Sequence, residues 1–301
     1  MDLMWRAFRI PLKHPFRGRL FREGAVTRGP QGWGEYSPFP GYSDGVLSQC
    51  LEAARSSACA PWPAPNRKRV EVHVTVAAVD PVRAAQLVRE SGCRAAKVKV
   101  AEGDDEARLE AVRDALGPSG RLVVDANGAW SLEEARRAIE SFARYHVELV
   151  EQPVAAAEDM AALRRVVDVP IAADELVHSA ESAQRLVELG AADVLVVKVQ
   201  SMGGVARALR AVQSAGLPVI VSSLLETSVG ISAGLALAAA LPELPYPCGL
   251  GTVPLLAGDL VSEPLIPVNG VIEVRRPEVD PDALRAFEID PAELAHPPGG
   301  R

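Results

Sequence analysis

The stretch Arg94-Ala-Ala-Lys-Val-Lys-Val100 decides how the chain is read. It alternates in character, and an acidic, helix-like segment from Asp104 to Leu116 follows it. Alternation marks a strand, and residues two apart on a strand share a face. Lys97 and Lys99 therefore point one way, and Val98 and Val100 point the other, into apolar surroundings. Two ammonium groups on a buried face are costly unless anions neutralise them. Taken alone, the stretch reads equally well as an edge strand with solvated lysines. The remainder of the chain decides between the two.

From Val70 onward the same unit repeats. Strands are expected at 70–76, 95–100, 121–125, 147–151, 171–174, 194–198 and 219–222, with a short last one near 249–252. Helical segments lie between them, ending with an alanine-rich one from Ser228 to Leu241. Regular strand–helix alternation predicts a parallel sheet, and eight strands with seven helices predict a closed α/β barrel of the (β/α)7β kind, a modified TIM barrel. Residues 1–68 and 258–301 depart from this rhythm. The first part holds a strand at Trp5–Leu12, the segment Gly32-Trp-Gly-Glu-Tyr-Ser-Pro-Phe-Pro-Gly41, a short helix at Ser48–Cys59, and Pro61-Trp-Pro-Ala-Pro65, which ends that helix. Both ends are expected to build an α+β capping domain over a barrel spanning 69–257.

Polar residues recur at the expected strand ends. Lys99, Asp125, Glu151, Asp174 and Lys198 close barrel strands two to six, at steps of 26, 26, 23 and 24 residues. Any one alone could be a loop charge or a cap. Five in register place a site at the carboxyl ends of the strands, where such barrels carry their chemistry. In a ring of eight, strands two and six face each other, so Lys99 and Lys198 lie across the mouth. Asp125, Glu151 and Asp174 fill the arc between them. Three neighbouring carboxylates repel unless a cation joins them, and all-oxygen ligation suits Mg2+, with Mn2+ as a substitute. Such an ion leaves positions open for a substrate carboxylate.

Composition excludes other classes. The 301 residues carry a net charge of −7, which speaks against nucleic-acid and anionic-membrane partners. The longest apolar run, Ile231–Leu241, is too short to span a bilayer. Met1–Lys13 has no apolar run of the secretory type. Four cysteines without metal-ligand spacing suit a reducing compartment. A cytoplasmic protein acting on a small-molecule carboxylate is expected, and no protein partner is implied.

Lys97-Val-Lys99, Asp125-Ala-Asn-Gly-Ala-Trp130, Glu151-Gln-Pro153, Ala173-Asp-Glu175 and Lys198-Val-Gln200 with Gly203-Gly204 together resemble the enolase superfamily, muconate-lactonizing-enzyme subgroup. The resemblance spans the barrel and implies a capping domain made from both chain ends. Gly32–Gly41, Ser222-Ser-Leu-Leu-Glu-Thr-Ser228 and Gly249-Leu-Gly-Thr-Val-Pro-Leu-Leu-Ala-Gly-Asp259 are similar to the short members that dehydrate 2-succinyl-6-hydroxy-2,4-cyclohexadiene-1-carboxylate to 2-succinylbenzoate in menaquinone biosynthesis. That resemblance implies a lyase in which Lys99 removes the proton α to the carboxylate and then helps the hydroxyl leave as water. It also implies that Lys198 supplies positive charge to the enediolate. A racemase or epimerase of N-acyl amino acids using both lysines is the alternative, and a non-catalytic metal and carboxylate binder is a further one. The absence of Asp-x-Asp in Gly249-Leu-Gly-Thr252, and the shortness of the loop from Arg17 to Gly32, count against the first alternative.

Other positions carry weaker signals. Lys97 either lowers the proton affinity of Lys99 or partners a ligand carboxylate. Asn127 and Gln200 lie just past strand ends and can support the site. Glu175 can turn back toward Lys198. Ser222 and Ser223 can hold a substrate carboxylate or cap a helix. His73 is expected to be a satisfied core residue rather than a catalytic one. Trp33 and Phe39 either line the pocket or pack within the cap.

Overall fold

A computed structural model describes residues 3–16 and 18–298. Arg17, in the loop read above as short, and the outermost residues of the two capping segments lie outside the described residues. The chain begins with an antiparallel meander of β1 (Trp5–Phe16), β2 (Arg19–Gly29) and β3 (Gly32–Tyr36), followed by α1 (Asp44–Cys59). The sequence pattern marks only part of β1 and misses β2. Arg19-Leu-Phe-Arg-Glu-Gly-Ala-Val has no clean alternation, so its pairing with β1 makes it a strand.

β4 (Arg69–Glu71) and β5 (Val74–Val76) then replace the single expected strand over 70–76. The first piece pairs antiparallel with β12 (Val271–Glu273) near the C-terminus, and the second begins the barrel sheet. One continuous strand cannot satisfy two neighbours running in different directions, so it breaks at Val72 and His73.

The barrel continues as α2 (Pro81–Ser91), β6 (Ala95–Lys99), α3 (Asp105–Leu116), β7 (Arg121–Asp125), α4 (Leu132–Phe142), β8 (Leu149–Glu151), α5 (Ala157–Arg164), β9 (Ile171–Ala173), α6 (Ala180–Leu189), β10 (Val194–Lys198), α7 (Val205–Ala215), β11 (Val219–Ser222) and α8 (Ser228–Ala240). Strands β5 to β11 form one parallel sheet in sequence order. The expected eighth strand over 249–252 is reduced to two parallel bridges, Val72 with Cys248 and Ser222 with Gly249, which join the first and last strands. A β-carbon on Gly249 would fall 2.4 Å from Ser222 Oγ and 3.1 Å from its Cβ, so a side chain there would displace Ser222 where the ring closes.

Helix starts follow local chemistry. Ser131 and Glu134 make a reciprocal capping box at α4, and Asp80 followed by Pro81 starts α2, which stops at left-handed Gly92. Along the strands, Val123, Leu149, Ala172, Val194, Val196 and Ile220 fill the barrel interior, while Val98, Val124, Val150, Leu195 and Val197 meet the helices. The polar strand ends therefore share the inward face by simple alternation. Every residue of α8 is buried, because it packs on β11 and α7 on one side and on β3 on another. Finally α9 (Pro281–Phe287) and β13 (Glu288–Ile289) return to the meander, where Ala7 pairs with Ile289.

Candidate active site

Strand register brings the candidates together. Lys99 pairs with Asp125 across β6 and β7, Asp125 with Glu151 across β7 and β8, and Lys198 with Ser222 across β10 and β11. Asp174 follows β9 directly. Asp125, Glu151 and Asp174 are all buried. A pocket above them is lined by Thr75, Lys97, Lys99, Asp125, Asp174, Lys198, Ser222, Ser223 and Thr252, with Phe16, Phe39 and Leu225 as its apolar wall.

The lysines lean onto the carboxylates. Lys97 Nζ donates to Glu151 Oε1 at 2.6 Å and stands 3.1 Å from Asp125 Oδ2, between the two groups. Lys99 Nζ donates to Asp125 Oδ2 and to Asn127 Oδ1, each at 2.5 Å. Lys198 Nζ donates to Asp174 Oδ1. Burial opposes charge on Lys97, but Glu151 and Asp125 outweigh it and hold its proton more tightly than usual. The same balance against Asp174 raises Lys198. Burial is overcome at Asp125 by Lys97 and Lys99, and at Asp174 by Lys198 and Lys97, so both acids are strengthened. Burial and the Asp125 charge push Glu151 the other way. With an ammonium 2.6 Å away, the Lys97–Glu151 proton belongs on the lysine.

Lys97 thus stands between two of the acidic strand ends, the contact that the second of its two expected roles requires. Asn127, at φ 47°, accepts from Lys99, donates Nδ2 to Glu175 Oε1 at 2.9 Å, and takes its own N–H to Asp125 Oδ1 at 3.0 Å. Glu175 is exposed and turns back through Asn127, and its charge also raises Lys198. Ser223 Oγ meets Thr252 Oγ1 at 2.9 Å at the pocket edge.

Gln200 does not face the lysines. Its Oε1 accepts from Ser37 N at 2.9 Å, and its Nε2 donates to Ser37 Oγ at 3.0 Å and to Glu226 Oε1 at 3.1 Å, in the seam with the cap. Trp33 packs in the cap and donates to Glu278 at 3.1 Å, whereas Phe39 lines the pocket. His73 is buried, and burial with the Lys97 charge lowers it to about 3, so it is neutral at physiological pH.

Gln152 stands in the Glu151-Gln-Pro153 motif, which by itself assigns it no role. Its Oε1 accepts from Asp174 N at 2.8 Å, and its φ is 39°, a conformation non-glycine residues rarely hold. Its place between Glu151 and Pro153 was the available clue. Phe16, Thr75 and Leu225 reach the pocket only through tertiary contacts.

Among the described residues no three carboxylate, imidazole or thiol groups converge closely enough to share an ion in this arrangement. The donor set still fits one by its chemistry. Three buried, oxygen-only side chains stand on neighbouring strand ends, and ammonium groups have already been drawn to them. These are hard donors that suit a hard divalent cation.

Residues 81–281 match the family described as enolase C-terminal domain-like, and residues 7–58 match enolase N-terminal domain-like. The chain is 53% identical to an o-succinylbenzoate synthase of Thermobifida fusca over 95% of this chain and 92% of that one. It is 46% identical to an o-succinylbenzoate synthase of Mycolicibacterium smegmatis over 92% of this chain and 88% of that one. The solved muconate lactonizing enzyme of Pseudomonas putida shares the fold, with a TM-score of 0.82 at 22% identity over 96% of this chain and 99% of that one. Members of the superfamily generally bind a divalent metal. The chain belongs to the o-succinylbenzoate synthase family of the enolase superfamily.

Proposed function

We propose that this chain is a lyase that dehydrates 2-succinyl-6-hydroxy-2,4-cyclohexadiene-1-carboxylate to o-succinylbenzoate. The observation that carries the reading is the pair of half-buried lysines, Lys99 and Lys198, ending strands four apart in the sheet with three acidic strand ends between them. Membership of a family whose curated members bear that name supports it.

Asp125, Glu151 and Asp174 would hold one Mg2+, for which Mn2+ can substitute. Bound there, the ion would act as a Lewis acid toward the substrate carboxylate. Lys99, as the free amine, takes the α-proton and returns it to the departing hydroxyl, which leaves as water. One side chain can serve both steps when hydrogen and hydroxyl leave from one face. Lys198 on the opposite side offsets the negative charge that develops on the enediolate. Lys97 keeps Glu151 and Asp125 ionised, and Asn127 steadies Lys99. Ser222, Ser223 and Thr252 offer hydroxyls to a second substrate carboxylate. Residues 1–68 and 258–301 act as the capping domain that closes the mouth of the barrel over 69–257.

The purified chain should form the aromatic product from the diene, lose that activity in EDTA and regain it with Mg2+. Failure to aromatise the diene with Mg2+ present would sink the reading. A lysine on each side is also what a racemase of N-acyl amino acids needs. Exchange of a substrate α-proton with solvent deuterium, with no dehydration of the diene, would favour that second reading.

A further inference from the structure

The apolar wall of the pocket is held in an unusual way. Leu225, 3% exposed, lies at φ 63°, in the left-handed region that branched side chains avoid. The residue before it is gripped at both backbone groups. Leu224 N donates to Glu226 Oε2 at 2.5 Å, and Leu224 O accepts from Arg22 Nε at 3.0 Å. Arg22 stands on β2 in the capping part and is 3% exposed. Its Nη1 also donates to Pro38 O at 3.2 Å, and its guanidinium lies 4.5 Å above the ring of Phe39, the other apolar wall. Glu226 is buried and tied through Gln200 to Ser37 of the cap. Burial disfavours charge on Arg22 and on Glu226, and each offsets the other.

Local propensity does not explain this arrangement. A left-handed leucine persists only where its surroundings fix it, and such residues gather at working sites. Glycine or asparagine would hold the same backbone with less strain. Leucine there puts a bulky side chain against Phe16 and Phe39, within one hydrophobic cluster.

We propose that Arg22 and Glu226 are positioning residues that set the shape, and so the substrate specificity, of the pocket: from the cap and from the barrel they clamp Leu224, hold Leu225 left-handed, and seat Phe39 opposite it. The wall they build suits a flat, six-membered carbocyclic substrate and exists only when the cap is seated on the barrel. The proposal rests on the dehydration reading for its choice of substrate.

The test uses the full chain with Mg2+. Steady-state kcat and KM for the diene, and urea unfolding, are measured for wild type, Glu226→Ala, Glu226→Gln, Leu225→Gly and the double variant Leu225→Gly/Glu226→Ala. Glu226→Ala removes a hydrogen bond to a charged group and should raise KM about 10-fold, with kcat changed less than about 3-fold. Glu226→Gln keeps an acceptor for Leu224 N–H and should return KM to within about 3-fold of wild type. In the glycine background no strained conformation remains to be held, so Glu226→Ala should add less than about 2-fold to KM. An alanine effect undiminished in that background, or a fall in kcat with KM unmoved, overturns the clamp. Should Glu226→Ala alone fail to fold, the double variant decides. It folds if the clamp is correct, and its failure beside a well-folded Leu225→Gly overturns it. The unfolding cycle needs no substrate, and Glu226→Ala should destabilise less in the glycine background. A wild type that leaves the diene unchanged refutes the dehydration reading, while the unfolding cycle still judges the clamp.

Discussion

Lys99 and Lys198 have nearly equal burial and each touches one aspartate, yet their neighbours differ. Lys99 also reaches Asn127, and Lys97 stands two residues away on the same strand face. Lys99→Ala should abolish both proton exchange and dehydration, with a loss of at least ~10²–10⁴ in rate, as for an acid–base group. Lys198→Arg keeps a charge but not a usable base. It should retain more activity than Lys198→Ala, both measured at saturating Mg2+. Dehydration near the wild-type rate in Lys99→Ala, beside a dead Lys198→Ala, would reverse the two roles.

The carboxylates belong to the same scale. Asp125 is buried and touched by Lys97 and Lys99 together. Asp125→Asn keeps the shape and removes the charge. Calorimetry should show Mg2+ affinity lower by about 10-fold or more, in line with the effect of disturbing a metal's coordination shell. Unchanged affinity would remove Asp125 from the ion site.

At the scale of elements, α8 is organised by a residue far from it in sequence. Glu35, on β3, accepts from Thr227 N at 3.2 Å and Gly230 N at 2.9 Å, and from the hydroxyls of Thr227 and Ser37. It thereby satisfies free amides of the first turn of α8. A β-carbon on Gly230 would stand 2.5 Å from Glu226 Cβ and 3.1 Å from Glu35 Oε2, so the cap's carboxylate comes this close only because that position is glycine. Burial, and then the charge of Glu226, push Glu35 up to about 7 against the pull of its donors. The folded chain then keeps a proton that the unfolded chain has released. Stability from this group is present below the ordinary glutamate range and is lost as pH rises through about 7. Urea unfolding of wild type between pH 5 and pH 8 should show a decline that is absent in Glu35→Gln. The same decline in the variant would assign it to another group.

The whole molecule is stitched by its ends. β13 and α9 return to the first strand, β12 pairs with the strand piece that leads into the barrel, and Arg276 donates to the backbone of Gln31 and Ser57. Leu284 is fully buried against the capping core although it lies close to the C-terminus. Leu284→Ala should therefore cost roughly 2–5 kcal/mol in chemical unfolding, as deep core truncations do. A cost below about 1 kcal/mol, the level of ordinary surface changes, would mean that the tail is not part of the cooperative fold.

The strand–helix rhythm, the parallel barrel and the inward face of its strand ends were legible in the sequence, because each depends on a local period that the pleat enforces. So was the order of Asp125, Glu151 and Asp174 along three neighbouring strands, since strands joined by single helices lie side by side. The break in the first barrel strand, the shrinkage of the eighth to two bridges and the existence of β2 were not. Each depends on which distant segment pairs with the backbone, and Val70 does not announce its partnership with Ile272. The seam escaped for the same reason. Gln200 sits at a strand end like its neighbours, but Ser37 and Glu226 draw its side chain to the cap. Leu225 carries no local mark of its left-handed backbone, because the groups that hold it, Arg22 and Glu226, act through the folded chain. Local periodicity determined the scaffold and the placing of its charges. Contacts between segments some two hundred residues apart decided the shape of the pocket above them.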